Sequence, residues 1–405
     1  MIELRGKNNI AKVFTDNIES EAISQIIQLL NQDFLEGAKV RIMPDCHSGA
    51  GCVIGFTADI GEKVIPNLVG VDIGCGMLTV KLGQVDIDLA QLDDVINKNI
   101  PAGFNTHKEK VVNFDDIQDL YCYKELKDIS RIEKSIGTLG GGNHFIELNV
   151  DSKGNKYLVI HSGSRNLGHQ VATHYQNIAI ELQRGKEDYY VKKDEIIKTY
   201  KAQGKKKEIQ EALIELKKEY DRLQPKYPKE LCFLTGKYRK EYLHDMKICQ
   251  KYANLNRETM VNIVLKKIFN KSLDKFEHFH TIHNYINFED NIIRKGAISA
   301  YEGEKVLIPI NMRDGSILAV GKGNSDWNYS APHGAGRLMS RSKAKESISL
   351  DEFKKSMEGI YITSVSEFTI DESPMAYKPL ESILNNIGDT VEVLEVIRPM
   401  YNFKA

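Results

Sequence analysis

A glycine-flanked imidazole gives this chain its most reactive candidate. The run Ser330-Ala331-Pro332-His333-Gly334-Ala335-Gly336-Arg337 sets His333 between a proline and two glycines, with an arginine behind. Glycines without a Cβ let backbone approach a ligand closely and accept positive φ. The planar guanidinium of Arg337 suits a phosphate, which it can grip through two parallel hydrogen bonds. A histidine nitrogen can attack phosphorus, and a covalent phosphoramidate splits one hard transfer into two easier ones. Taken alone, the run also fits a glycine turn carrying an incidental histidine.

Further clusters place histidines, cysteine and acids among small residues: Met43-Pro44-Asp45-Cys46-His47, Val71-Asp72-Ile73-Gly74-Cys75-Gly76, Gly142-Asn143-His144-Phe145-Ile146-Glu147, His161-Ser162-Gly163-Ser164-Arg165 and His280-Thr281-Ile282-His283-Asn284. Asp, Cys and His are ligand types of divalent transition metals. Asp72 and Cys75 are three apart on a glycine-bent segment, so both side chains can reach one point. A thiolate can bridge two cations. Such a mixed O, N and S donor set does not by itself choose manganese over zinc or iron. A lone Cys75 would also fit a buried structural thiol, and His280 reads as a core or supporting residue.

The elements that must position these groups follow from pattern. Val40–Met43, Cys52–Phe56, Leu78–Leu82, Tyr157–His161, Lys305–Ile310, Ser316–Gly321 and Thr390–Ile397 predict strands, rich in β-branched residues and bounded by turn residues. Glu21–Leu30 has helical spacing, with Ser20 as its N-cap. From about Arg184 to Lys251 the chain turns Lys- and Glu-rich and glycine-poor. There Ile209, Leu213, Leu216 and Tyr220 form one apolar helix stripe, ended by Pro225 and Pro228, and Tyr242–Leu265 predicts a second helix. This excursion reads either as a solvated helical arm or as a basic arm touching the phosphates of a long substrate. No tandem repeat or linker marks a domain break. Site candidates spread from Asp45 to His333 imply one large interwoven α+β domain over 1–405, with mixed or antiparallel sheets flanked by helices.

Composition excludes several classes. Apolar residues are 41% of 405, enough for a large core, and Lys+Arg 55 against Asp+Glu 56 leaves a formal charge of −1. Any nucleic-acid surface is therefore a local patch. No apolar run could span a membrane, and the N-terminus lacks a signal region. Six cysteines without a CxxC pair predict free thiols in a reducing cytoplasm.

Together the motifs around Asp72 and Cys75, Asn143 to Glu147, His161 to Arg165, His283-Asn284 and His333 to Arg337 resemble, in this order, the RtcB family of RNA ligases. The resemblance covers Met43 to Lys404. It implies joining of RNA 3′-phosphate or 2′,3′-cyclic phosphate ends to 5′-hydroxyl ends with GTP and two manganese ions, in tRNA splicing or in repair of cleaved tRNA or ribosomal RNA. It implies Asp72 and His144 on one ion, His161 and His283 on the other, and Cys75 on both. His333 would attack the α-phosphate of GTP and pass GMP to the RNA 3′-phosphate, and the 5′-hydroxyl would then displace GMP. A terminal phosphate has no good leaving group, which is why a nucleotide cap is needed.

The resemblance also implies nucleotide contacts. Asn143 and the backbone of Gly334, Ala335 and Gly336 would meet the phosphate, Glu147 the guanine edge, Tyr377 the base plane and Lys404 the guanine. Lys404 also fits a solvated tail. Asp45 would orient His333 through its far nitrogen or cap a turn. Arg337 and Arg165 are phosphate candidates, the latter for RNA. Two departures stand out. Ala50 replaces a lysine in Met43-Pro44-Asp45-Cys46-His47-Ser48-Gly49-Ala50-Gly51, and Asn311 replaces a guanine-contacting serine in Pro309-Ile310-Asn311-Met312. The alternative class is a metal-dependent RNA-end phosphatase or cyclic phosphodiesterase, which needs the metals but no adduct on His333. A non-catalytic RNA-binding scaffold would need neither.

Overall fold

A computed structural model describes residues 1–404. Two sheets carry the architecture. One has six strands in the order Ile2–Arg5, Ile10–Val13, Val40–His47, Ile54–Ala58, Ile293–Lys295 and Tyr285–Ile286. The other runs Lys305–Asn311, Gly315–Gly321, Val391–Lys404, Phe145–Val150, Lys156–Ser162, Gly76–Gly83 and Glu277–Ile282, with Tyr361–Ile362 beside Val391–Lys404. The amide of Leu307 donates to Thr281 Oγ1 at 3.1 Å, drawing the first and last strands of this path together into a nearly closed barrel. All pairings are antiparallel except Ile10–Val13 with Val40–His47 and Tyr361–Ile362 with Val391–Lys404. This is the expected α+β fold.

The helices cover apolar sheet faces. Ile26, Leu29 and Leu30 of the Ser20–Leu30 helix join Val40, Ile42 and Phe56 in the largest core cluster. Full burial of each such side chain stabilises by about 1.5–3 kcal/mol. The Gly236–Phe269 helix lays Met260, Val261, Val264 and Leu265 against Leu78, Leu158 and Ile160 of the barrel.

Several boundaries differ from expectation for physical reasons. Ser20 is the first helical residue, not the cap; Glu19 occupies that position, and its carboxylate accepts from the Ser48 amide at 2.7 Å instead. The Val40 strand continues past Pro44 to His47, and the last strand continues past Pro399 to Lys404. Each continues through a register shift that absorbs the missing N–H of the proline. The Cys52–Phe56 expectation starts at Ile54. Within 184–251, only the helices Lys186–Ala202 and Ile209–Arg222 stand clear of the core. Leu231, Cys232, Tyr242, Met246 and Cys249 return to it. All six cysteines are free and buried.

Candidate active site

Four strand ends and loops deliver one cluster. His161 stands near the end of Lys156–Ser162, Cys75 immediately before Gly76–Gly83, His144 just before Phe145–Val150, and His283 just after Glu277–Ile282. Antiparallel pairing aligns them: Met77 and Phe145 both register with His161, and Gly76 registers with Ile282. Cys75 Sγ lies 3.4 Å from His144 Nε2 and 3.3 Å from His161 Nε2. Asp72 approaches His144 Nε2 at 3.1 Å, and His161 Nε2 lies 3.4 Å from His283 Nε2. The donor atoms form two overlapping sets, Asp72–Cys75–His144 and Cys75–His161–His283, each within 4.8 Å.

Surrounding backbone aims these donors. His144 Nδ1 donates to Leu139 O at 2.9 Å and His161 Nδ1 to Asn143 O at 3.1 Å, which leaves each Nε2 lone pair facing the cluster. Asp72 accepts from the Ser164 amide at 2.9 Å. Gly163 makes room for that carboxylate, because a Cβ there would lie 2.2 Å from Asp72 Oδ1. Burial pushes the Cys75 thiol well up and holds His161 and His283 well below the ordinary imidazole range. Such a packed O, N and S set with its lone pairs converging fits divalent cations, which would reverse the thiol's preference.

A cavity of about 410 Å³ opens beside this cluster, with His161 in its wall. His333 also faces it, 4.8 Å from His283 between ring centroids. Its Nδ1 donates to Asp45 Oδ2 at 2.7 Å, and the amides of His333 and Gly334 donate to the same oxygen at 3.1 Å. Asp45 is fully buried. The contact fixes the tautomer and leaves the Nε2 lone pair available. Gly336, at φ 75°, is needed here, since a Cβ would fall 2.0 Å from Asp45 O.

The cavity lining holds the nucleotide candidates. Asn143, Glu147, Asn311, Gly334, Ala335, Gly336, Arg337, Tyr377 and Lys404 all line the cavity. Glu147 is buried on its strand and accepts from Asn149 and Asn402; burial raises its carboxyl to about 7 against those partners and Lys404. Lys404 is buried and ion-paired with Glu372 at 2.7 Å, so it is no solvated tail. Tyr377 donates to Glu372 at 2.5 Å, and Arg337 and Arg341 reach the same carboxylate. Asn311 spends its amide locally, accepting from the Arg313 and Asp314 amides and donating to Asp314. Arg165 lies outside the cavity: its guanidinium donates to Gly103 O and Thr138 Oγ1. His280 pairs with Glu258 at 3.3 Å, away from the cluster.

Sequence reading missed several contributors. Glu372 and Arg341 organise the cationic wall. Asn256 and Arg257, fully buried on the long helix, hold the cluster's loops: Arg257 donates to Gly74 O at 2.9 Å and Ser162 O at 2.7 Å, and Asn256 to Gly163 O at 3.1 Å. Their signal was available, since both interrupt the apolar face shared by Ala253, Met260 and Val264. Lys295, also buried, donates to the carbonyls of Ala50 and Cys52, bringing an ammonium to the loop where Ala50 lacks one.

Comparison with known proteins converges on one family. The family model described as tRNA-splicing ligase RtcB matches residues 28–126 and 121–405. The RNA-splicing ligase RtcB of Escherichia coli K12 is 31% identical, with 99% of each chain covered. The tRNA-splicing ligase RtcB of Aeropyrum pernix is 28% identical, covering 92% of this chain and 90% of its own.

Proposed function

The chain belongs to the RtcB family, and from that premise we propose that it is a GTP-dependent RNA ligase, joining 3′-phosphate or 2′,3′-cyclic phosphate ends to 5′-hydroxyl ends in the cytoplasm, on cleaved tRNA or ribosomal RNA. The observation that carries this reading is the pairing of His333 Nδ1 with buried Asp45, which frees Nε2 beside a metal-ligand cluster. A phosphatase would need the cluster but not that imidazole.

In the first step the Nε2 lone pair forms a bond to the α-phosphorus of GTP, the bond to the bridging oxygen breaks, and pyrophosphate leaves. Asp45 keeps the proton on Nδ1 and balances the charge that develops on the ring. The backbone of Gly334, Ala335 and Gly336 and the side chain of Arg337, which line the cavity, would steady the nucleotide. A 3′-phosphate oxygen of RNA then attacks the same phosphorus, and the electron pair returns to Nε2. Finally the 5′-hydroxyl oxygen attacks the RNA 3′-phosphorus, gives up its proton, and GMP departs. A cyclic phosphate is opened by water beforehand. Asp72, Cys75 and His144, and Cys75, His161 and His283, would hold two manganese ions, whose chemistry is Lewis-acid stabilisation of phosphate oxygens.

The test is guanylylation without RNA. With α-labelled GTP and manganese, the wild type should carry acid-labile, alkali-stable label, and His333→Ala none. Absence of label with every nucleotide and metal tried, together with release of phosphate or opening of cyclic ends, would replace this reading with the RNA-end hydrolase.

A further inference from the structure

One aromatic ring, on a loop packed beside the Gly140–Gly142 segment, stands outside the mechanism. Phe104 is 92% exposed, and its loop is firmly held. The Gly103 amide donates to Gly140 O at 2.9 Å, Ala102 bridges Gly140, and Asn105 donates back to Ala102 O. Arg131 donates to Phe104 O at 2.7 Å and Arg165 to Gly103 O at 3.2 Å. Burial therefore does not explain the ring's placement, and four hydrogen bonds hold its backbone in position.

The loop braces the glycine segment that leads into Asn143 and His144. A Cβ on Gly141 would lie 3.7 Å from Gly103 Cα, and one on Gly142 would lie 3.5 Å from the Arg341 guanidinium, which lines the nucleotide cavity. Gly141, Gly142 and Asn143 are themselves exposed. The loop that carries the exposed ring thus packs against the glycine segment leading into Asn143, which lines the cavity together with His333, and the guanidinium groups of Arg131 and Arg165 hold the loop's carbonyls. The ring's sequence neighbours Asn105, Lys108, Glu109 and Lys110 are polar, so the ring is an isolated platform and not part of an apolar docking face. Stacking on an aromatic ring is how proteins hold an unpaired nucleobase while cations take the backbone.

We propose that Phe104 is a stacking platform for an unpaired nucleobase at the RNA end presented to His333. This rests on the ligase reading for the identity of the polyanion. The backbone contacts of the loop leave the ring free to change without unfolding it, so substitution is informative.

The experiment compares Phe104→Ala, Phe104→Leu and Phe104→Trp in the full chain. Two readouts are kept apart: guanylylation by GTP alone, and binding of end-labelled single-stranded RNA followed by anisotropy without GTP. Loss of one stacked base should weaken RNA binding by Phe104→Ala and Phe104→Leu about tenfold, with guanylylation unchanged and Phe104→Trp close to wild type. RNA lacking the terminal base should bind the wild type as weakly as intact RNA binds Phe104→Ala. Running this with a 3′-phosphate strand and with a 5′-hydroxyl strand identifies which end stacks. Wild-type binding of both strands by Phe104→Ala, or full rescue by leucine, overturns the proposal. Failure of guanylylation in the wild type overturns the ligase reading instead, and leaves the anisotropy result to stand by itself.

Discussion

Two carboxylates in the same cavity are held in opposite states by their neighbours. Burial favours the neutral form of both. Around Glu372 the charges of Lys404 and Arg341 outweigh burial and keep its carboxyl at about 2, whereas Glu147 has mainly amide partners and rises to about 7. Glu147 is thus the group in this wall that changes charge near neutrality. An acid raised from its ordinary 4.5 contributes stability that is fully present below that value and is lost as pH rises through about 7. Binding of guanine by the ionised carboxylate has the opposite sign. Affinity for GTP should strengthen as pH rises through about 7 and level off above it, and Glu147→Gln should bind more weakly with a flatter profile. Titration calorimetry from pH 6 to 8 measures both; identical profiles for wild type and variant would remove Glu147 from the guanine site. At this scale much was legible. Asp72, Cys75, His144, His161 and His333 stand out by residue type and glycine context, His283 was set apart from His280 by the family resemblance, and the structure brings all six together. Glu372 did not, because a carboxylate in Ile370-Asp371-Glu372 has no local mark of burial; only tertiary packing surrounds it with cations.

Proline explains where elements were misjudged. Pro44 and Pro399 each stand at a register shift, and in each case site residues follow: Asp45, and Asn402 with Lys404. A strand reading that ends at proline loses those positions, because local pattern cannot show that a bulge will carry pairing onward. Composition likewise overstated the helical excursion. Lys186–Ala202 buries no residue, and Ile209–Arg222 buries only Leu216 and Tyr220. The Lys226 amide donates to Gln183 O at 3.0 Å, so the two ends of the arm meet at its base. Excision of residues 186–222 with a short glycine bridge should leave guanylylation intact and lower the melting temperature by no more than a few degrees. Loss of guanylylation with the fold retained would show that the arm acts on the catalytic centre itself.

Across the whole molecule, the donor cluster of Asp72, Cys75, His144, His161 and His283 ties the barrel to the chain segments between its strands. A cation bound only by the folded chain stabilises it by about 2.7 kcal/mol when present at a hundred times its dissociation constant. Manganese should therefore raise the melting temperature and a chelator should lower it, with Cys75→Ala responding weakly to both, since that thiol belongs to both donor sets. Scanning calorimetry reads this without any turnover, and a wild-type melting point indifferent to manganese would argue against resident metal.

The contact between Asp45 and His333 has a kinetic corollary. It joins positions 288 residues apart and depends on Gly336 passing close to the Asp45 carbonyl. Closing so long a loop is entropically costly and gains nothing until both sheets are in place. Helices and hairpins can assemble while His333 still lacks its partner carboxylate. The imidazole of His333 thus gains its orienting carboxylate only in the last stage of folding, when both sheets are assembled.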